Sequence, residues 1–229
     1  MRRLLLLIFC ALPSISAFAQ TRLNLPLKRE LDSIYVLDQH YRELLMETFA
    51  PQGAKAVAAK LGMTSQQANV FLSRNMARID SSNMRRIGQI MRQYGYPGKM
   101  LVGTPTNEAA FYVIQHTPLI IKQYLPQVKQ AADKGELPFR LYAMMLDREL
   151  MFDDKKQVYG TQARSCATKN PTTGEIEQKL FIWPIEVAAG VNERRKKAGF
   201  DQTVEENARR LNTTYQVLTL EEARKMQQP

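Results

Sequence analysis

The sequence predicts a mainly α protein, a helical domain with one antiparallel β-hairpin in its C-terminal half. Two observations carry this reading. From Leu23 to Phe152 apolar residues recur at three- and four-residue steps, the spacing of one helix face. At Gln157 the patterning becomes extended and stays so, across a turn-forming stretch, as far as Ile185.

The elements follow in order. A helix is predicted over Leu23–Phe49, with Pro26 suited to its first turn and a stripe of Leu27, Leu31, Ile34, Tyr41 and Leu45. Asp38 falls on that stripe as a polar intruder. A short helix over Ala54–Leu61 is stopped by Gly62, and Thr64 with Gln67 forms a capping box for the next. Asp80 to Asn83 reads as a new N-terminus, opening a separate helix over Met84–Tyr94, and Gly95-Tyr96-Pro97-Gly98 is a turn. Helices are predicted over Glu108–His116, Leu119–Lys134 and Leu137–Phe152. Pro118 sets the end of the first, because a residue before proline is pushed out of helical geometry. Gln157–Cys166 and Lys179–Ile185 read as paired strands joined through Asn170-Pro171-Thr172-Thr173-Gly174. A helix near Ala188–Ala198 ends at Gly199, and Thr203/Glu206 and Thr219/Glu222 are capping boxes for the last two.

Residues 1–20 read as a cleaved secretory signal peptide: Arg2 and Arg3, nine apolar residues from Leu4 to Leu12, then Ala17-Phe18-Ala19 before Gln20. Nine residues fall short of the roughly 20 that a bilayer span needs. The expected organisation is therefore a signal peptide at 1–20, a helical domain at 21–200 and a helical extension at 201–229. The expected location is the periplasm or the exterior, without stable membrane insertion. Mean hydropathy is −0.34, as in soluble proteins. The net charge is +10. In an exported chain that charge suggests anionic glycans, membrane surfaces or a small anionic or cell-wall-derived ligand, not nucleic acid, and its plainest reading is a merely basic, soluble surface. Cys10 leaves with the signal peptide, so Cys166 can form no intrachain disulfide. With His40 and His116 the only histidines, no metal-ligand set can be assembled, and no cofactor motif is present.

Polar residues on apolar elements mark the candidate site. His116 shares a face with Ala109, Tyr112 and Val113, and Arg148 shares one with Leu141, Met144, Met145 and Phe152. A guanidinium stays charged, and an unpaired buried charge is severely unfavourable. Arg148 therefore needs a carboxylate or an anionic ligand, with Asp38 the natural protein partner and Asp80 the next. Arg42, Arg148 and Arg195 offer forked donors to an anion, and Gln115, Tyr159 and Gln162 add neutral hydrogen bonds. If the site is catalytic, His116 is its acid or base, oriented by Asp147 or Asp38. The alternative is a non-catalytic interaction protein whose polar clusters are buried ion-pair networks. A further alternative comes from Ala56–Asn75, which resembles a DNA-reading helix-turn-helix, but an exported chain has no promoter to read.

These residues also carry a family resemblance. Asp38-Gln39-x-Tyr41-Arg42, Asp80-x-x-Asn83, Tyr94-Gly95-Tyr96-Pro97, Gln115-His116, Asp147-Arg148, Tyr159-Gly160-Thr161-Gln162 and Asn192-x-x-Arg195 resemble a bacterial family known only as a numbered domain of unknown function. The sequence departs from it at Tyr96, where tryptophan is expected, and in a longer stretch between Arg42 and Asp80. The resemblance implies a fold and a set of positions, not a reaction.

Export is directly testable. N-terminal sequencing of protein produced in a bacterial host should begin at or near Gln20. An intact Met1 on cytoplasmic protein would contradict export and revive the DNA-binding alternative.

Overall fold

The computed structural model describes residues 23–169, 172 and 174–227. The proposed signal peptide and the turn residues Asn170, Pro171 and Thr173 lie outside them. Helix α1 (Leu25–Glu47) starts at Asn24, whose side chain accepts the Leu27 N–H at 3.1 Å. Helix α2 (Gly53–Leu61) ends at Gly62, where φ is +64°, a left-handed geometry that favours glycine. Thr64 and Gln67 form their reciprocal box at the start of α3 (Ser65–Tyr94).

Helix α3 corrects one expectation. The chain does not restart at Asp80–Asn83 but runs on as a single helix of 30 residues. The polar side chains that suggested a cap are used otherwise. The Ser81 hydroxyl donates back to the Ala77 carbonyl at 2.9 Å, Asn83 donates to the Ile34 carbonyl of α1 at 3.3 Å, and Asp80 binds Arg42. Cap-forming residues give no break when tertiary partners claim their side chains.

A short α4 (Lys99–Val102), α5 (Ala109–Gln115), α6 (Ile121–Asp133) and α7 (Phe139–Phe152) complete the helical half. Its core joins Leu27, Leu31 and Ile34 of α1 to Ile87 and Ile90 of α3, Phe111 and Ile114 of α5, Val128 of α6 and Leu141 and Met145 of α7. Of the stripe predicted on α1, Leu27, Leu31 and Ile34 are buried, with Asp38, 1% exposed, beside them, while Tyr41 and Leu45 are only half-buried.

The hairpin is present, with both strands displaced from the predicted spans. Strand β1 (Ala163–Lys169) pairs antiparallel with β2 (Ile176–Ile182), Cys166 opposite Lys179. Residues 157–162 are not strand. The N–H groups of Val158, Tyr159 and Thr161 turn inward to the Asp147 carboxylate, so they have none to offer a ladder. Along β2 and beyond it the side chains alternate. Phe181 and Trp183 pack with Met151, Cys166 and Ala223 of α10 (Leu220–Met226), while Ile182 packs with Ile185, Val191 of α8 (Val191–Lys197) and Val204 and Ala208 of α9 (Val204–Arg210). The capping boxes at Thr203 and Thr219 form as predicted.

Candidate functional site

The polar residues singled out by the sequence gather into two networks and a bridge between α5 and α7. The first network centres on Asp38. Its buried carboxylate lies 3.0 and 3.2 Å from His116 Nδ1 and accepts the Gln39 amide at 2.6 Å. Arg42, one turn on, donates to the Asp38 carbonyl at 2.6 Å and forks onto both Asp80 oxygens at 2.7 and 2.8 Å. Asp38, Arg42 and His116 are therefore brought together, and Asp80 joins them as partner to Arg42 instead of Arg148. With Nδ1 facing a carboxylate, neutral His116 carries its proton there, which leaves Nε2 as an acceptor. Among the described residues Nε2 has no partner, and the side chain keeps 19% exposure.

The second network centres on Asp147, which is fully buried in α7. Four donors converge on its carboxylate: Val158 N at 2.7 Å, Tyr159 N at 3.0 Å, Thr161 N at 3.0 Å and the Thr161 hydroxyl at 2.9 Å. A carboxylate offers about four lone-pair sites, so this one is saturated. Burial pushes its carboxyl above the usual carboxylate range, against the pull of the Tyr159, Thr161 and Val158 N–H groups. Asp147 therefore does not orient His116. It ties down residues 157–162.

The other side of that loop is held by Arg195 of α8, 2% exposed, which donates to the Tyr159 carbonyl at 2.9 Å and the Gln202 carbonyl at 2.7 Å and stacks on Phe200. The Tyr159 backbone thus faces a buried anion through its N–H and a buried cation through its carbonyl. Burial lowers the Arg195 pKa and the Asp147 carboxylate opposes that shift. Asn207 holds the next carbonyl, that of Gly160, at 3.2 Å. Glycine is required at 160: φ is +68°, and a Cβ would stand 2.7 Å from Ile185 Cδ1 and 2.8 Å from Val204 Cγ2. Gly160 therefore serves a close-packed turn, not a strand bulge.

Gln157 and Gln162 finish the knot. The Gln157 side chain donates to the Trp183 and Gln162 carbonyls and accepts the Gln162 N–H. The Gln162 amide donates to the Met144 carbonyl at 3.3 Å. The Tyr159 ring lies beside Phe200. Tyr159 and Gln162 thus belong to the Asp147 network, not to the Asp38 one.

The expected pairing of Arg148 with Asp38 is not formed, because Arg42 sits one turn from Asp38 on the same helix. Half-buried Arg148 reaches only the Gln115 carbonyl, at 3.4 Å. Among the described residues no carboxylate lies within 4 Å of it, and burial alone lowers its pKa, with no neighbouring anion to offset the shift.

Sequence reasoning missed the cavity beside the second network. A cavity of about 430 Å³, open to solvent on one side, is lined by Arg140, Met144, Thr161, Arg195, Phe200, Asp201, Gln202, Asn207 and Arg210. Three guanidiniums face one carboxylate. Arg140 meets Glu108 at 3.5 Å with its side chain 39% exposed, and Arg210 donates to Asn207 Oδ1 at 2.9 Å. Arg195 has no carboxylate within 4 Å among the described residues. A signal for Arg140 did exist: Arg140, Met144 and Arg148 repeat at four-residue steps. Among the described residues no group of three or more His, Cys, Asp or Glu is placed to hold a metal, and no helix is long and apolar enough to cross a membrane.

The two networks, around Asp38 and around Asp147 with the 157–162 loop, fall within the span, residues 38–219, that matches the profile of DUF6624, described as a family of unknown function. The chain belongs to that family. Comparison with curated proteins and with solved structures gave no match. The DUF6624 match begins at Asp38 itself and takes in both networks and all the arginines of the cavity.

Replacing Asp147 with alanine leaves four donors without their acceptor. Asp147→Ala should lower the unfolding free energy by about 3 kcal/mol, measured by urea denaturation. A loss below about 1 kcal/mol would mean that the loop does not depend on this carboxylate.

Proposed function

We propose that this DUF6624 member binds a small anionic ligand in the arginine-lined cavity, and that it does so after export. One observation supports the reading most: buried Arg195 faces the cavity with no carboxylate partner within 4 Å among the described residues, while its Nε and Nη1 are spent on backbone carbonyls. Its remaining donors, with those of Arg140 and Arg210, suit the forked recognition of a carboxylate or phosphate. Met144 and Phe200 supply apolar wall, and Asn207 and Thr161 supply polar edge. A sugar acid or phosphorylated sugar of cell-wall origin has this chemistry. Proton transfer, if the protein is hydrolytic, falls to His116, which stands outside the cavity lining with its Nδ1 held by Asp38 and its Nε2 free to accept, so only a ligand extending beyond the cavity would meet it.

A second reading is favoured by the saturation of Asp147 and the closed pairing of Arg42 with Asp80. On that reading the protein is non-catalytic, and its polar groups lock α1, α3, α7 and the hairpin together. The two readings differ over the cavity arginines: the second gives Arg195 its backbone carbonyls, Arg210 its bond to Asn207 and Arg140 its contact with Glu108, and no ligand beyond these.

A ligand that prefers the native state raises its apparent stability. Inorganic phosphate or glucuronate should raise the melting temperature of the purified chain. Arg210→Met and Arg140→Met should each lose most of that rise while melting near the wild-type temperature without ligand, since both side chains make only partly exposed contacts. A melting temperature that no small anion moves would overturn the ligand reading and favour the structural one.

A further inference from the structure

The cavity lies at one end of a longer polar strip. On α7, Arg140, Met144 and Arg148 stand at i, i+4 and i+8, and all three are half-buried. Alongside run Glu108, Tyr112 and His116, spaced in the same way along α5 and its ends and likewise half-buried. Side chains join the two rows in register, Arg140 to Glu108 at 3.5 Å and Arg148 to the Gln115 carbonyl at 3.4 Å. Eight residues at 1.5 Å rise set the two α7 arginines about 12 Å apart along the helix.

The far end of the strip has unmet polar demands of its own. Arg148 has no carboxylate within reach among the described residues. Gln115 is only 8% exposed, yet its amide makes no hydrogen bond to the described residues, whereas buried polar groups are almost always paired. It is not sealed either: the unpartnered atoms closed off from solvent are Asn107 Oδ1, Thr117 Oγ1 and the Tyr215 hydroxyl, so the Gln115 amide keeps solvent access. His116 Nε2 adds a third free position one residue on.

We infer that Arg148 and Gln115 form a second anion subsite, about 12 Å along α7 from Arg140 of the arginine cavity, so that the ligand is an elongated molecule with an anionic group at each end. This rests on the cavity reading and adds the ligand's length and second charge. Arg148 supplies a forked cationic donor, and the Gln115 amide supplies a neutral one. Met144, midway between Arg140 and Arg148, gives the connecting segment an apolar surface. A ligand that reaches both ends gains the second contact at high effective concentration.

The test uses isothermal titration of the full chain with methylphosphonate and with a series of α,ω-alkane bisphosphonates of increasing length. The expected result is an affinity maximum at a phosphonate separation near 12 Å, at least about tenfold above methylphosphonate. Arg148→Met should abolish that length preference, bringing the longer bisphosphonates down to the affinity of the shortest, and Arg148→Lys should restore part of it. Arg210→Met should weaken every member of the series. Binding of methylphosphonate with no length preference in the wild-type chain would overturn the second subsite and leave the cavity reading intact. Failure of every phosphonate to bind would overturn both.

Discussion

A carboxylate with no solvent exposure in the middle of an amphipathic helix must have its charge answered by nearby groups, and Asp147 is answered by chain 11 to 14 residues further on. Leaving such an ion unpaired would cost several kcal/mol. Donation to it therefore decides the path of residues 157–162. Much else follows from that path. The hairpin starts only at Ala163, because the preceding N–H groups are already used. The Tyr159 carbonyl turns toward α8, where Arg195 meets it, and the Gly160 turn packs so tightly on Ile185 and Val204 that no side chain fits. The helical half and the hairpin half are joined at this carboxylate.

The same packing leaves charge uneven across the molecule. Around Asp38 the ionic groups are settled among themselves, with Arg42 forked onto Asp80 and His116 held through Nδ1. Around Arg195 and Arg148 they are not. Arg195 is stabilised by backbone carbonyls, by the ring of Phe200 and by the field of Asp147 on the other side of the Tyr159 backbone. A cation can be held this way without a touching carboxylate, and its outer face then stays available. This contrast separates a polar cluster that closes on itself from one that can receive an anion. It is the physical basis for proposing an anion site at the arginines and not at Asp38.

Much of the fold was legible in the sequence because it rests on local rules. Apolar spacing located Leu27, Leu31 and Ile34, and Thr64, Thr203 and Thr219 announced their helices through capping boxes that form as read. The errors arose where distant groups overrode a local preference. Asp80 and Asn83 looked like a helix start, but α1 claims both side chains. Gln157–Gln162 looked like the start of a strand, but Asp147 of α7 claims the N–H groups of Val158, Tyr159 and Thr161, and the Gln157 side chain claims that of Gln162. The sequence also showed that Asp38, His116 and Arg148 sit on inward faces, and the first two do meet. It could not show which carboxylate each cation would reach. Arg42 and Arg148 are equally charged, and only the three-dimensional path sets one beside Asp80 and the other beside a bare carbonyl. Arg210 and Asn207 carried no signal, since an arginine near a helix end usually marks a solvated face.

The central claim is that the Asp147 carboxylate grips the 157–162 loop, and amide hydrogen exchange on the unmodified protein tests it most directly. Exchange rates report local opening, and a solvated loop exchanges quickly. The account predicts that the amides of Val158, Tyr159 and Thr161 exchange as slowly as those within α7, while the neighbouring exposed Lys156 exchanges fast. Rapid exchange at Val158, Tyr159 and Thr161 would contradict it.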